Sequence, residues 1–168
     1  NGGTFTMETG SSLTSALITN NARLNATASS LTGSLVNSAT GLASLTNSTV
    51  TGGVTNLGNY TMSGGTVTGT FNNAGGTLVS TGNTSFGGLG GGTVGMVGNG
   101  TSDTITVNGD LGATAFNLNS DLSVGTFGSD SISVTGNVTG DLSFNFSNLG
   151  LVGHLGADIA VLNVGGAN

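Results

Sequence analysis

Two stretches of the chain repeat each other: Gly100-Thr-Ser-Asp-Thr-Ile-Thr-Val-Asn-Gly-Asp-Leu111 and Phe127-Gly-Ser-Asp-Ser-Ile-Ser-Val-Thr-Gly-Asn-Val138. A shift of 27 residues superimposes one stretch on the other. Each copy contains a Ser-Asp turn, a strand with apolar residues on alternate positions, and a glycine turn. Repetition of a short strand unit is typical of stacked β architectures, in which each unit covers its neighbour. The sequence therefore predicts a β-solenoid instead of an enzyme-like globule.

A looser repeat precedes these two copies. The pattern apolar, Thr, small, any, apolar occurs at residues 13–17, 31–35, 50–54 and 67–71, at spacings of 18, 19 and 17 residues. Two or three short strands with tight turns make one coil of this length, and coils stack about 4.8 Å apart through parallel pairing. Equivalent side chains then lie over one another. The last residues of the four units are predicted to form an interior stack: Leu17, Leu35, Val54 and Phe71.

An asparagine follows each of these four units. We expect these residues to form a ladder at a turn, because asparagine tolerates left-handed backbone geometry and can hydrogen-bond along a stack. A role as simple turn residues is favoured over glycosylation or ligand contact. The four asparagines are Asn20, Asn37, Asn56 and Asn73.

A glycine-rich run at residues 87–92 marks a boundary between the two kinds of repeat. We predict β-helix coils with a period near 18 over residues 1–92, and a C-terminal unit with the 27-residue repeat over residues 93–168. The second unit has longer apolar strands, at 142–146 and 159–164, the latter apolar on both faces and expected to be covered on both. Such a unit is suited to cap the exposed end of a solenoid. Its predicted structural side chains are Ile105, Val107, Ile132, Val134, Phe144 and Phe146.

The composition fits tightly stacked coils. Gly, Ser, Thr and Asn supply 100 of the 168 residues, there is no Pro to interrupt backbone ladders, and only 5% of residues are charged. The single basic residue is Arg23, and the net charge is −6. Nucleic acid is therefore excluded as a main partner, since binding to phosphates needs clustered cations. The absence of Cys rules out disulfides and thiolate metal sites.

Residues 98–164 resemble the C-terminal part of a pertactin-like autotransporter passenger, the autochaperone region that precedes the outer-membrane barrel. The matching segments are residues 102–109, 129–136 and 158–164. The resemblance implies an all-β fold, a right-handed parallel β-helix with a C-terminal cap-like unit. It also implies a Gram-negative origin, type V secretion and exposure on the bacterial cell surface. In that family this unit folds first outside the cell and templates the rest of the passenger.

Enzymatic chemistry is not expected. His154 is the only imidazole, with Asp158 four residues later, and no Gly-x-Ser-x-Gly nucleophile elbow is present. The seven carboxylates are spread mostly one to a turn, whereas a glycosidase needs two that face each other across a cleft. We predict a structural or solvent-exposed His154, and no catalytic or cofactor-binding residues.

Three binding features were weighed against plain structural roles. Asp103 and Asp130 are weak calcium candidates, since a bound cation would relieve the repulsion between carboxylates stacked on neighbouring coils. Alternatively, each accepts backbone N–H groups in its own turn. Thr-x-Thr occurs at residues 4–6, 66–68 and 104–106, and these copies are too far apart for the in-register array that ice binding would need. Tyr60 is the best aromatic candidate for an exposed contact, with a core position at least as well supported.

The sequence predicts a non-catalytic structural segment of a secreted passenger, one that nucleates β-helix folding and supports translocation across the outer membrane. Its partners would be the rest of the passenger and the outer-membrane barrel. One alternative is an adhesin module on a β-helix stem, which contacts a host-surface receptor or associates with itself. Another is a calcium-dependent β-roll or surface-layer piece. The chain starts inside a repetitive pattern, which predicts a segment of a longer protein.

Overall fold

The computed structural model describes residues 2–98, 100–123, 128–150 and 158–166. Its β-strands join in one 15-stranded sheet. In these ranges no helix is long and apolar enough to cross a membrane. The strands are β1 (Thr4–Met7), β2 (Ser12–Asn20), β3 (Arg23–Thr27), β4 (Ser30–Asn37), β5 (Leu42–Thr51), β6 (Val54–Asn56), β7 (Asn59–Asn72), β8 (Thr77–Gly90), β9 (Thr93–Gly95), β10 (Thr104–Val107), β11 (Thr114–Asp121), β12 (Gly128–Ser129), β13 (Ser131–Val134), β14 (Leu142–Asn148) and β15 (Leu162–Val164).

The chain passes three faces in the same order on each turn. Face A consists of β1, β3, the first parts of β5, β7 and β8, then β9, β11 and β14. Face B consists of the first parts of β2 and β4, the second part of β5, the middle of β7 and β8, then β10, β13 and β15. Face C consists of the second parts of β2 and β4, then β6 and the ends of β7 and β8. Strands on each face pair in parallel, so the protein is a three-sided parallel β-solenoid.

The core lies between the three faces and is filled by side chains from alternate strand positions. Its widest part holds three aromatic rings, one from each face: Tyr60 from A, Phe86 from B and Phe71 from C. Phe71 contacts Tyr60 and Phe86 edge-on, with ring centroids 5.0 and 5.5 Å apart. All three side chains are buried. This edge-to-face geometry is favoured by the ring quadrupoles.

The 27-residue repeat of the sequence is also the register of the structure. β10 and β13 pair so that Ile105 lies opposite Ile132 and Val107 lies opposite Val134. These four side chains are buried in the core. The prediction of an all-β parallel solenoid is therefore confirmed. The right-handed winding, the C-terminal cap and the division after residue 92 stay predictions; β8 and β9 pair directly across that division.

The predicted interior stack is wrong at its first position. Ile18, not Leu17, lies opposite Leu35, and Leu17 is 57% exposed. A bulge just before Leu17 adds one residue to the strand, and a shift of one residue moves a side chain to the opposite face. The other members lie as expected, with Leu35 opposite Val54 and Val54 opposite Phe71.

Both ends of the solenoid expose apolar side chains. Phe5 on β1 is 41% exposed and Phe146 on β14 is 52% exposed, although alternation predicts an interior position for each. Residues 159–164 were expected to be covered on both faces, yet their apolar side chains are only partly buried or exposed. Alternation indicates which face a side chain occupies. It does not tell whether another turn covers that face.

Substitution of Phe71 by alanine should lower the free energy of unfolding by about 3–5 kcal/mol, because a large buried ring is replaced by a cavity. Phe146→Ala removes the same atoms from a half-exposed position and serves as the matched control. Equilibrium unfolding in denaturant measures both changes. Equal losses for the two variants would contradict the described core.

Candidate functional site: an asparagine ladder and a buried aspartate pair

The four predicted ladder residues occupy one corner of the solenoid, where face C ends and the next turn begins. Asn20, Asn37 and Asn56 end β2, β4 and β6, and Asn73 directly follows β7. Each side chain is buried, with at most 1% of its surface exposed. Buried amides are costly unless they are hydrogen-bonded, so their partners decide whether this corner is stable.

The amides bond to one another along the solenoid axis. The Nδ2 group of Asn20 donates to Oδ1 of Asn37 at 2.8 Å, and Nδ2 of Asn37 donates to Oδ1 of Asn56 at 2.8 Å. Nδ2 of Asn56 donates to Oδ1 of Asn73 at 2.7 Å. The row ends where Nδ2 of Asn73 donates to the backbone carbonyl of Thr93 at 2.8 Å. All donors point the same way, towards the C-terminal turns.

The same amides also hold the start of face A in place. Asn37 Nδ2 donates to the carbonyl of Asn59 at 3.0 Å, and Asn56 Nδ2 donates to the carbonyl of Thr77 at 2.9 Å. Both acceptors are the first residues of long strands, β7 and β8. The ladder therefore fixes the point at which each turn leaves the corner and sets the register of the strand that follows.

One reason for expecting asparagine at this corner does not hold. Among the described residues other than glycine, positive φ occurs at Ala28 and Asn47, and at none of the ladder residues. Asparagine is used here for its amide, not for left-handed backbone geometry. The space beside the amides is taken by glycine instead: a Cβ on Gly41 would lie 2.2 Å from Oδ1 of Asn37, and a Cβ on Gly76 would lie 2.5 Å from Nδ2 of Asn56.

Asn37→Ala should destabilise the protein strongly. The change leaves a buried donor on Asn20 and a buried acceptor on Asn56 without their side-chain partner, and each such loss costs about 1–3 kcal/mol. Thermal and denaturant unfolding measure the loss. Asn21→Ala, at an exposed position beside the same corner, is the control and should change stability little. Similar stabilities for the two variants would contradict a structural ladder.

Asp103 and Asp130 lie on neighbouring turns at the corner between faces A and B, and both are buried. Oδ1 of Asp103 accepts the N–H of Gly82 at 2.7 Å. Oδ1 of Asp130 accepts the N–H of Asp103 at 3.1 Å, and its Oδ2 accepts the N–H of Asn119 at 2.8 Å. Each carboxylate thus reaches back to the preceding turn. Both residues accept backbone N–H groups, as the alternative to a calcium site predicts, but not only within their own turns. Gly82 and Asp103 lie on the preceding turn, while Asn119 lies on the same turn as Asp130.

Burial raises the pKa of Asp130, and the charge of Asp103 acts in the same direction, while the two backbone N–H groups oppose the shift. Oδ2 of Asp103 is buried and has no hydrogen-bond partner. Desolvation therefore favours the neutral form of Asp130 in the folded protein.

The free energy of unfolding should depend on pH through the titration of Asp130. A raised folded-state pKa gives stability that is full below the ordinary aspartate pKa, about 3.9, and is lost as pH rises through the folded pKa. The free-energy difference between wild type and Asp130→Asn should therefore move in favour of wild type on acidification. Denaturant unfolding at pH values from below the ordinary aspartate pKa to neutral pH measures the difference.

Asp121→Asn is the control for that experiment, with the opposite sign. Hydrogen bonds from Ser123 lower the pKa of Asp121, so its contribution is present above the ordinary pKa and is lost as pH falls through the folded value. If both variants shifted in the same direction with pH, the assignment to Asp130 would be wrong.

Other candidate chemistry finds little support in the geometry. Within the described ranges, no three His, Cys, Asp or Glu side chains lie close enough together to hold a metal ion. His154 lies outside the described residues. Arg23 opens β3 on face A, and the carboxylates of Asp110 and Asp141 lie on exposed turns of the C-terminal half. The described carboxylates do not converge on a common cleft.

Tyr60 is not an exposed contact residue. Its side chain is 1% exposed in the aromatic part of the core, and its hydroxyl group has no hydrogen-bond partner. Burial raises the pKa of this phenol well above its usual range. In β7, Tyr60 and Met62 are buried and alternate with exposed polar residues. This alternation is the sequence signal that predicts burial of Tyr60.

One polar corner was missed by the sequence reasoning. Ser29 and Ser48 are buried between faces A and B, where the N–H of Ser29 donates to Oγ of Ser48 at 3.1 Å. Their hydroxyl groups donate to carbonyls two residues earlier, at Thr27 and Thr46. Each serine directly precedes a hydroxyl–apolar–Thr strand, a signal that was present in the sequence.

The chain matches no protein-family model, no curated protein and no solved structure. The functional argument therefore depends on the geometry of the chain itself.

Proposed function

We propose that this chain is a non-catalytic structural segment of a secreted passenger of the autotransporter kind, and that its C-terminal turns nucleate the folding of the turns before them. One observation carries the proposal: the interior of each turn is closed by the in-register pairing of the next turn, as in the pairing of β10 with β13. A turn alone cannot bury its apolar side chains, so formation of the first stacked pair of turns limits the rate of folding.

In this proposal the C-terminal turns form that first pair. Asp130 ties its own turn to the N–H groups of Asp103 and Asn119, so three chain segments meet at one buried side chain. Beside it, Phe116 on β11 and Phe144 on β14 stack with centroids 5.7 Å apart. These contacts join residues 11 to 28 positions apart in the chain, which keeps the entropy of loop closure modest.

Once a stable pair exists, each further turn gains its hydrogen bonds and buried area on a ready-made edge. A chain that emerges C-terminal turns first would therefore fold progressively outside the cell, and this folding would support translocation without ATP. The partners in this proposal are the rest of the passenger and its outer-membrane barrel, and the location is the bacterial cell surface. Low charge and an absence of Cys are compatible with passage as an extended chain.

Refolding kinetics of matched variants test the order of folding. Val50, Val107 and Val134 occupy one interior column of face B and are all buried. If the C-terminal turns nucleate folding, Val107→Ala and Val134→Ala should slow refolding, because their contacts exist in the transition state. Val50→Ala, with the same loss of atoms at the N-terminal side, should mainly accelerate unfolding.

Stopped-flow refolding and unfolding of the full chain provide both rates for each variant. The slowest refolding in Val50→Ala, or equal effects at all three positions, would contradict nucleation by the C-terminal turns. Equilibrium unfolding of the same proteins supplies the stability changes that normalise the rates, and these must be large enough for the ratio to be reliable.

A further inference from the structure

The outer surface of face B carries hydroxyl groups in two straight columns. On its first four turns the strands read Ser12-Leu-Thr14, Ser30-Leu-Thr32, Thr49-Val-Thr51 and Thr66-Val-Thr68. The middle residue of each triplet points into the core. The first residues of the four triplets, which are Ser or Thr, form the first column. The last residues, which are all Thr, form the second column. We call these eight outward residues the hydroxyl face.

Strand register aligns the members of each column. Ser12 pairs with Ser30 and Thr14 with Thr32. The next turn adds Thr49 opposite Ser30 and Thr51 opposite Thr32, and Thr66 follows opposite Thr49. Parallel pairing spaces the rows about 4.8 Å apart, and two residues along a strand space the columns about 6.6 Å apart. The result is a two-dimensional array of hydroxyl groups. Thr68 follows Val67, which pairs with Val50, and its hydroxyl oxygen also accepts the N–H of Gly52 at 3.3 Å.

Thr-x-Thr also occurs at residues 49–51, one turn before the copy at 66–68, so two copies are neighbours on face B. On the two turns before them Ser takes the first position, at Ser12 and Ser30. Ser85, Thr106 and Ser133 extend the first column to later turns. The second column is interrupted there by Gly87 and Asn108, so the regular part is the four-turn hydroxyl face.

Strand propensity alone does not account for the array. Val and Ile suit strand surfaces as well as Thr does. Outward positions of face A include Leu42 and Val79, which are 39% and 37% exposed, and face C exposes Leu17. The hydroxyl face contains no apolar, aromatic or charged residue in either column. Its uniformity is a property of that face, and it excludes recognition through ion pairs or aromatic stacking.

We propose that the hydroxyl face binds the surface of ice. Each hydroxyl group donates and accepts, and β-branched Thr side chains hold one or two rotamers, so bound waters occupy fixed and repeating positions. The oxygen atoms of a crystal plane of ice repeat at distances of the same size in two directions. The hydrogen bonds of the Asn37 amide to Asn20 and Asn56 hold three successive turns in register. This inference is independent of the proposed folding role.

Freezing of the full-length protein in solution tests the proposal. We expect wild type to depress the freezing point below the melting point of a single ice crystal, to shape that crystal, and to inhibit recrystallisation. Thr51→Tyr and Thr32→Lys each place a bulky group in the second column and should reduce these effects to the level of buffer. Thr61→Tyr and Thr27→Lys make the same changes at exposed positions of face A and should keep wild-type activity.

Unfolding curves confirm that each variant is folded. If a Tyr variant does not fold, the comparison uses the two Lys variants, and the reverse holds if a Lys variant does not fold. Absence of any freezing effect in wild type overturns the proposal. Equal loss in the face A controls overturns the assignment to face B. If the face B variants change sedimentation and leave freezing unaffected, the face is a contact between copies of the chain and the proposal is also overturned.

Discussion

No turn of this solenoid has an interior until another turn covers it. The aromatic rings of Tyr60, Phe71 and Phe86 come from different faces and from neighbouring turns, and they become buried only when those turns stack. In-register parallel hydrogen bonding is therefore the constraint on which the core, the polar corners and the outer surfaces all depend. It replaces the long-range packing of a globular domain by a contact that repeats between neighbours.

Two buried polar devices secure that register, and they divide the chain between them. The asparagine ladder runs from Asn20 to Thr93 at one corner, while Asp103 and Asp130 act at another corner of the later turns. The ladder is neutral, and each of its four Nδ2 groups has at least one acceptor. The aspartate pair is titratable and contains a buried oxygen atom without a hydrogen-bond partner, so it is the more sensitive of the two to solution conditions.

Much of the fold could be predicted from the sequence because the repeats carry it. The 27-residue offset became the pairing of β10 with β13, and the spacing of the asparagines placed them in one row. Local irregularities could not be predicted: the bulge before Leu17 leaves no composition signal, and the exposure of Phe146 depends on which turn is last. The hydroxyl face could not be predicted from spacing alone, because both Ser and Thr occupy its first column and only the strand register shows that they are aligned.

The buried phenol of Tyr60 has a consequence for observing this protein. The chain contains one Tyr and no Trp, so its near-ultraviolet absorption and emission come almost entirely from a single ring in the middle of the stack. That ring is shielded from water and lies edge-on to Phe71. Because the phenol ionises only when water reaches it, the appearance of tyrosinate absorbance in alkali reports the opening of the central turns. The molecule thus carries an optical probe at the place where the three faces meet.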